Sequence, residues 1–322
     1  MLFSPTHRLE TAYRALKEYE IQPVLIAFLQ HSENVTFRVE APGETFLLRL
    51  HSPRTKAFGQ ENSDSRVIES ELLWLEALRR EDLPVPPPIP NKAGKYVSQA
   101  GGINLTLLGW QEGELMTRDA ESPETAAQIG TLVGRLHAHA RQWTPPAGFL
   151  RPLRDASYFQ SALAALLPAV QDGRIAPGDY QTLQTSLGFL QEETQSLPRT
   201  PQTWGLLHGD LHRGNFLLDE GKIRLIDFSM CAFGHFFYDL ATCLSNIRQP
   251  FHPIFLQNYT QFMPLPEGYE RLLEGYFVAS YIATFSLWVE DAQSQEAFVQ
   301  RVSYIAREYA ARFNRDERFW FT

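Results

Sequence analysis

Apolar residues along this 322-residue chain follow two periods in succession. In the first hundred residues the runs are short. Ile21–Leu29 is mostly apolar and is punctuated by His31-Ser32-Glu33-Asn34. Val35–Glu40 and Thr45–Leu50 follow, joined by Ala41-Pro42-Gly43-Glu44, a connection suited to a hairpin. Residues 51–64 are polar and turn-rich, as expected of a mobile loop. From Arg66 to Arg80 the period becomes helical, with Val67, Ile68, Leu72, Leu75 and Leu78 on one face at about 100° per residue. Pro84–Pro88 ends that helix, because proline lacks the amide donor and fixes its own backbone. Ile103–Trp110 reads as another strand, broken by Gln111-Glu112-Gly113. Beyond it helices dominate, over Ala126–Trp143, Ser157–Val170, Tyr180–Gln195, Tyr269–Val289 and Glu296–Phe313. One compact strand-and-loop segment, Leu206–Phe228, lies among them. The pattern predicts an α+β chain: a small sheet-plus-helix part over 1–108, a connector at 109–113 and a larger helical part over 114–322.

Composition narrows the function classes. The chain is 44% hydrophobic and 12% aromatic, enough apolar area for packed domains rather than disorder. Two cysteines, Cys231 and Cys243, exclude a disulfide framework and a four-cysteine zinc site; reduced thiols in a cytoplasmic protein are expected. No signal peptide is visible in MLFSPTHRLE, and Gly275–Val289 is too short and too rich in Ser and Thr to span a bilayer, so no membrane role is expected. The net charge of −8 divides unevenly: 12 basic and 13 acidic residues up to position 110, then 17 and 24. No Lys/Arg stripe appears, which argues against nucleic acid as a partner. The acidic C-terminal half suits a cationic small molecule or a merely solubilising surface.

The chemistry concentrates in residues 206–228, LLHGDLHRGNFLLDEGKIRLIDF. Phe216–Leu218 and Ile223–Ile226 read as a hairpin with the four-residue loop Asp219–Lys222. Asn215 precedes the first strand, Asp227 follows the second, and Asp210 lies five residues upstream in a loop. Two carboxylates and an amide oxygen therefore gather at one rim. Oxygen donors of that kind suit a hard cation such as Mg²⁺, whose coordination shell usually includes substrate phosphates. The natural division puts one carboxylate outside the metal shell as base, with the Asn and the other Asp on the metal. Taken singly, Asp210 and Asn215 are also ordinary loop formers. The helix at 66–80 adds a separate constraint. Relative to Val67, Glu71 projects at about 40°, inside the apolar stripe, whereas Glu69 and Glu76 fall near 200° and 180°. A buried carboxylate needs a partner, and Arg49 on a core strand is the nearest plausible cation.

His208-Gly-Asp210-Leu-His-Arg-Gly-Asn215, followed by Ile226-Asp227-Phe228, resembles the catalytic loop and metal-binding segment of the aminoglycoside phosphotransferase and choline kinase family, small-molecule relatives of protein kinases. The likeness extends over nearly the whole chain. Ser32–Arg38 resembles the nucleotide-covering loop and its strand, Phe46–Leu50 the strand with the phosphate-contacting cation, Gly109–Gly113 the connector that meets the adenine, and Phe237–Ala241 the helix start after the metal aspartate. The resemblance implies a bilobal protein-kinase-like fold, with an antiparallel sheet and one helix in the small lobe and a catalytic hairpin embedded in the large one. It implies ATP and Mg²⁺, with Asp210 as catalytic base and Asn215 and Asp227 on the metal. Ser32, Asn34, Arg49, Glu71, Trp110, Gln111 and Glu112 would surround the nucleotide. His212 and Arg213 would lie where an acceptor or γ-phosphate sits, and His208 and Asp239 would support the loop. The chain departs from the family pattern by carrying Arg49 where a lysine is usual, no glycine string before Val35, and no further acidic residues in Ser229-Met230-Cys231.

The expected activity is transfer of a phosphoryl group from ATP to a hydroxyl of a small, aminoglycoside-, choline-, homoserine- or sugar-like acceptor. A Ser/Thr protein kinase of the bacterial stress-response type and a nucleotide-binding pseudokinase or scaffold are the rival readings. His137 and His139 are two apart on a helix and face different ways, so a metal pair is not expected of them.

Overall fold

Three of the apolar runs become neighbouring strands in the computed structural model, which describes residues 5–31, 34–52, 64–290 and 295–321. Ser32 and most of the 51–64 loop lie outside the described residues. β1 (Leu25–His31), β2 (Val35–Ala41) and β3 (Glu44–Leu50) pair antiparallel in chain order, and β3 pairs with β6 (Ile103–Gly109). β4 (Pro88–Ile89) and β5 (Val97–Ala100) both pair with β6, giving a six-stranded antiparallel sheet. The strand period of two sorts its side chains. Phe46, Leu48 and Leu50 join Val35, Phe37 and Val39 in a core with Ala12, Ala15 and Leu16 of α1 (Pro5–Leu16). Arg49 alternates with these and so emerges on the opposite face, level with Thr36 and Thr106 of the flanking strands. α2 (Ser65–Arg80) begins where the Asp64 side chain accepts the Arg66 amide, and it buries Glu71 along with its apolar stripe.

Contacts divide the chain into two compact units. The first takes Met1–Leu115, Thr144–Arg151 and Phe216–Ser229; the second takes Met116–Trp143, Pro152–Asn215 and Met230–Thr322. β10 (Phe216–Asp219) and β11 (Lys222–Leu225) thus belong to the first unit, where β10 also pairs with β7 (Glu114–Leu115). Their turn is tighter than the predicted four-residue loop. Asp219 pairs with Lys222, leaving only Glu220 and Gly221, both at positive φ (48° and 78°). Two successive left-handed residues match the twist of a hairpin, and an Arg224–Asp219 ion pair at 2.6 Å braces it.

The second unit is mostly helical. α3 (Pro123–Gln142) starts three residues ahead of the predicted Ala126, because Ser122 and Thr125 form a reciprocal cap and Pro123 fits the first turn. The helix predicted over 157–170 is two, α4 (Ala156–Ala164) and α5 (Leu167–Gln171). Pro168 has no amide to continue the ladder, so a break precedes it. α6 (Pro177–Gln195) follows. β8 (Leu153–Arg154), β12 (Ala232–His235) and β9 (Trp204–Leu207) form a small sheet with β12 central. α7 (Phe237–Leu244), α8 (His252–Tyr259), α9 (Tyr269–Trp288) and α10 (Gln295–Tyr304) complete the bundle. The predicted final helix is interrupted by a π-turn over Ile305–Ala310 before α11 (Ala311–Asn314). α3 and α8 approach closely at Gly130, where a Cβ would stand 2.3 Å from the Phe255 carbonyl oxygen. Cys231 and Cys243 are both buried free thiols. Among the described residues no helix is long and apolar enough to cross a membrane.

Candidate active site

The loop that follows β9 is held by its backbone. Asp239, fully buried near the start of α7, accepts the His208 amide on Oδ2 at 2.7 Å and the Gly209 amide on Oδ1 at 2.9 Å. The His137 ring completes the anchor, with Nε2 3.2 Å from Asp239 Oδ2 and Nδ1 3.0 Å from the Tyr259 hydroxyl. Gly209 sits at φ +80°, and a Cβ there would lie 2.2 Å from the Met230 carbonyl oxygen. Only glycine combines that dihedral with so close an approach. His208, also buried, accepts the Asp210 amide on Nδ1 at 3.2 Å. These bonds set the direction in which Asp210 leaves the loop.

Two neighbours then orient the Asp210 carboxylate through one oxygen. Asn215 Nδ2 donates to Oδ2 at 2.9 Å and to the Asp210 carbonyl at 2.8 Å. His212 Nδ1 accepts the Gly214 amide at 3.0 Å, so the neutral ring carries its proton on Nε2, 3.2 Å from Oδ2. Oδ1 takes no hydrogen bond among the described residues, and the side chain is 36% exposed. Burial pushes the carboxyl up. The hydrogen bonds from His212 and Asn215 and the electrostatic pull of the His212 and His208 rings outweigh it and hold Asp210 below its ordinary value. Asp210 is therefore an ionised acceptor with one oxygen fixed and one available.

Arg213 is bound within the second unit. Its guanidinium meets Glu121 Oε1 at 2.6 Å and also donates to the Asn246 carbonyl. Glu121, nearly buried, binds Arg248 through Oε2 as well. A buried carboxylate demands cations, and Arg213 supplies one, which ties its loop to Glu121.

In the first unit Arg49 Nη2 meets Glu71 Oε1 at 2.7 Å, both side chains almost fully buried (4% and 3% exposed). Arg49 Nε donates to Thr106 Oγ1 at 3.3 Å, on the adjacent strand. His51, two residues on, accompanies Arg49 on that face. Burial, then the charges of Arg49 and Arg151, hold its pKa well below the ordinary 6.5. Asn34 is buried beside β2. Trp110 donates its amide to the Thr45 carbonyl, and the Arg38 guanidinium lies 5.1 Å from its ring centre. Gln111 reaches back to the Trp110 carbonyl at 3.4 Å, and Glu112 is exposed. Asp227 stands at φ +61°, the left-handed region that asparagine and aspartate tolerate at a cost, and its Oδ1 accepts the Ser229 amide at 3.3 Å. Phe228 fixes this turn by packing edge-on against Trp74 of α2, ring centres 5.4 Å apart.

Asn215 and Asp227 each carry an oxygen of the kind that suits a hard divalent ion. Asn215 spends its amide nitrogen on Asp210, which leaves the carboxamide oxygen as its other polar atom. Asp227 commits Oδ1 to one amide and keeps Oδ2. In the chain Asn215 directly precedes β10 and Asp227 is two residues past β11, whose ends Phe216 and Leu225 pair. Two residues of this site escaped sequence reasoning. His137 was separable from His139 only by its place beside Val133 and Leu136 on the buried face of α3. Glu121 carried no motif at all.

Comparison with known proteins adds findings of three kinds. A family model described as the phosphotransferase enzyme family matches residues 25–274. An amicoumacin kinase of Bacillus subtilis (strain 168) is 24% identical over 249 residues, 75% of this chain and 68% of that protein. A homoserine kinase of Xanthobacter autotrophicus is 27% identical over 245 residues, 74% of this chain and 68% of that protein. Among solved structures, a microcompartment-associated aminopropanol kinase superposes with TM-score 0.75 at 24% identity, covering 95% of this chain and 98% of that one. An amicoumacin kinase in complex with AMP-PNP and Ca²⁺ gives TM-score 0.77 at 20% identity over 95% and 94%.

Proposed function

The chain belongs to the phosphotransferase enzyme family, and from that premise we propose that it transfers the γ-phosphoryl group of ATP to a hydroxyl of a small, amine-bearing molecule. The observation that carries the reading is the Asp210 carboxylate, with Oδ2 fixed by Asn215 and His212 and Oδ1 left open. Oδ1 accepts the acceptor's hydroxyl proton as the new O–P bond forms, while the bond to the β-phosphate oxygen breaks and ADP leaves. A carboxylate below its ordinary pKa is a weak base, which suits a loose transition state in which the proton moves late. Most of the acceleration then comes from positioning and charge neutralisation.

Asn215 and Asp227 would hold the divalent ion, Mg²⁺ in this reading, through the carboxamide and carboxylate oxygens. When bound, that ion neutralises phosphate charge. Arg49, ion-paired with Glu71 through Nη2 and donating through Nε to Thr106, supplies a guanidinium in place of an ammonium for the α- and β-phosphates. Trp110, Gln111 and Glu112 meet the base, and Asn34 covers the phosphates. His208 and Asp239 keep the loop in register.

The acceptor class is supported by the names of the relatives, which are kinases of amicoumacin, homoserine and aminopropanol. A panel of amino alcohols, amino sugars and non-amine alcohols, scored for acceptor-dependent ADP release with Mg-ATP, tests this. Release confined to the amine-bearing alcohols is expected. Tight Mg-ATP binding in a thermal-shift measurement, with no turnover of any acceptor, would favour the scaffold reading instead.

A further inference from the structure

The second unit holds a cavity of about 410 Å³ walled by α4, the C-terminal half of α6, α9 and the ends of β9 and β12. Trp204 opens β9 at this cavity, whereas the catalytic loop begins after Leu207, so the cavity and Asp210 stand at opposite ends of that strand. Its size lies within the roughly 300–1,000 Å³ typical of small-molecule pockets.

Two of its lining residues are more than nine-tenths buried and yet present open polar atoms. His235 is 6% exposed, and its Nδ1 faces the Thr203 carbonyl at 3.2 Å. The neutral ring donates there and keeps its lone pair on Nε2, which takes no hydrogen bond among the described residues. Tyr276 is 3% exposed, its ring packed against Phe159, His235 and Phe237 with centres 6.0, 6.2 and 6.3 Å away, and its hydroxyl is likewise without a hydrogen bond among the described residues. Both belong to side chains more than nine-tenths buried that line one cavity, so their polar atoms are within reach of a molecule held there. A third acceptor stands at the rim. Asp155 uses Oδ1 on the Ser157 and Tyr158 amides, while Oδ2 meets Arg199 at a loose 3.4 Å. That arginine is 56% exposed and lies flat on Trp204, 4.1 Å from the ring centre.

We propose that this cavity binds a small primary amine, its ammonium donating to His235 Nε2, Tyr276 Oη and Asp155 Oδ2, at a site separate from the phosphoryl acceptor. An ammonium carries three donors and no acceptor, which suits three acceptors lining one cavity. The rings of Phe159, Tyr276 and Trp204 also line the cavity. Burial holds His235 at about 4, so the ring stays an acceptor at neutral pH.

The test is calorimetric titration of 1,4-diaminobutane into the full chain without nucleotide, beside the isosteric 1,4-butanediol. Because no turnover is read, its outcome is independent of the phosphotransferase assignment. Saturable one-to-one binding of the diamine and none of the diol is expected. Tyr276→Phe, which removes one oxygen and keeps the ring, should weaken the diamine by about two- to tenfold, the worth of one hydrogen bond. Asp155→Asn, which keeps a capping oxygen, should weaken it at least as much. Absence of saturation, equal binding of the diol, unchanged affinity in both folded variants, or competition between the diamine and the acceptor in turnover would each overturn the proposal.

Discussion

Replacing Glu71 by leucine tests the interior of the first unit most sharply. The Arg49–Glu71 pair is joined at 2.7 Å with both side chains under 5% exposed, so neither charge is screened by water. At a charge separation of about 4 Å and an effective dielectric of about 20 the attraction is about 4 kcal/mol, opposed by the desolvation of both groups. Removing one partner keeps the desolvation cost of the other and loses the attraction, a net penalty of about 3–5 kcal/mol. Arg49 retains Thr106, which places the expected value toward the lower end. For a chain of this size the melting temperature should fall by about 6–20 °C. Arg49→Met combined with Glu71→Leu removes both charges and fills similar volume, so it should recover most of the loss while leaving phosphoryl transfer impaired. Thermal unfolding of the two single variants and the double one gives the coupling energy directly. If the double variant lost as much stability as the singles summed, the pair would not be an energetic unit. If Glu71→Leu kept an unchanged KM for ATP per folded molecule, the positioning of Arg49 by Glu71 would be refuted.

Other outcomes follow from the second unit. Asp210→Asn should lower kcat by about 10²- to 10⁴-fold, the usual worth of a positioned base, with nucleotide affinity measured by calorimetry nearly intact; equal loss of both would contradict its role. Gly209→Ala forces a Cβ to 2.2 Å from the Met230 carbonyl oxygen at φ +80°, so activity should collapse through displacement of the loop, seen as lost kcat in a protein that still binds nucleotide. Gly130→Ala meets the Phe255 carbonyl at 2.3 Å and should destabilise the chain by about 1–3 kcal/mol in thermal melts without changing KM. His235 has a folded pKa of about 4 against an ordinary 6.5, so the unfolded chain binds a proton the folded one refuses. Its contribution is complete above pH 6.5 and shrinks by up to about 3 kcal/mol as pH falls toward 4, and His235→Gln should flatten that part of the stability–pH curve.

The parts of this architecture that were legible are those where one local rule dominates. Alternation marked β2 and β3, the helical stripe marked α2, and an acidic residue inside that stripe pointed to a buried partner on a strand. The hairpin strands at 216–225 were legible, but their turn was not, since two left-handed residues are invisible to hydrophobic pattern and only the Gly221 neighbour hints at them. The break before Pro168 was written in the chain and masked by the apolar content on either side. α1 buries two alanines and one leucine, too faint a stripe to stand out. Arg213 shows the opposite difficulty. A cation inside a catalytic loop suggests phosphate, yet its actual partner, Glu121, lies 92 positions away, and no local pattern encodes that distance.

The first unit draws its residues from three separate stretches, the last ending at Ser229. A ribosome must therefore have delivered more than two thirds of the polypeptide before β7 can find β10, and before the Arg151 guanidinium can grip the Val67 and Ser229 carbonyls together. Truncation after the connector would leave the first unit without the hairpin of β10 and β11. Nascent chains halted there should be protease-sensitive, and gene fusions that split the protein at residue 115 should yield two fragments of which neither survives alone.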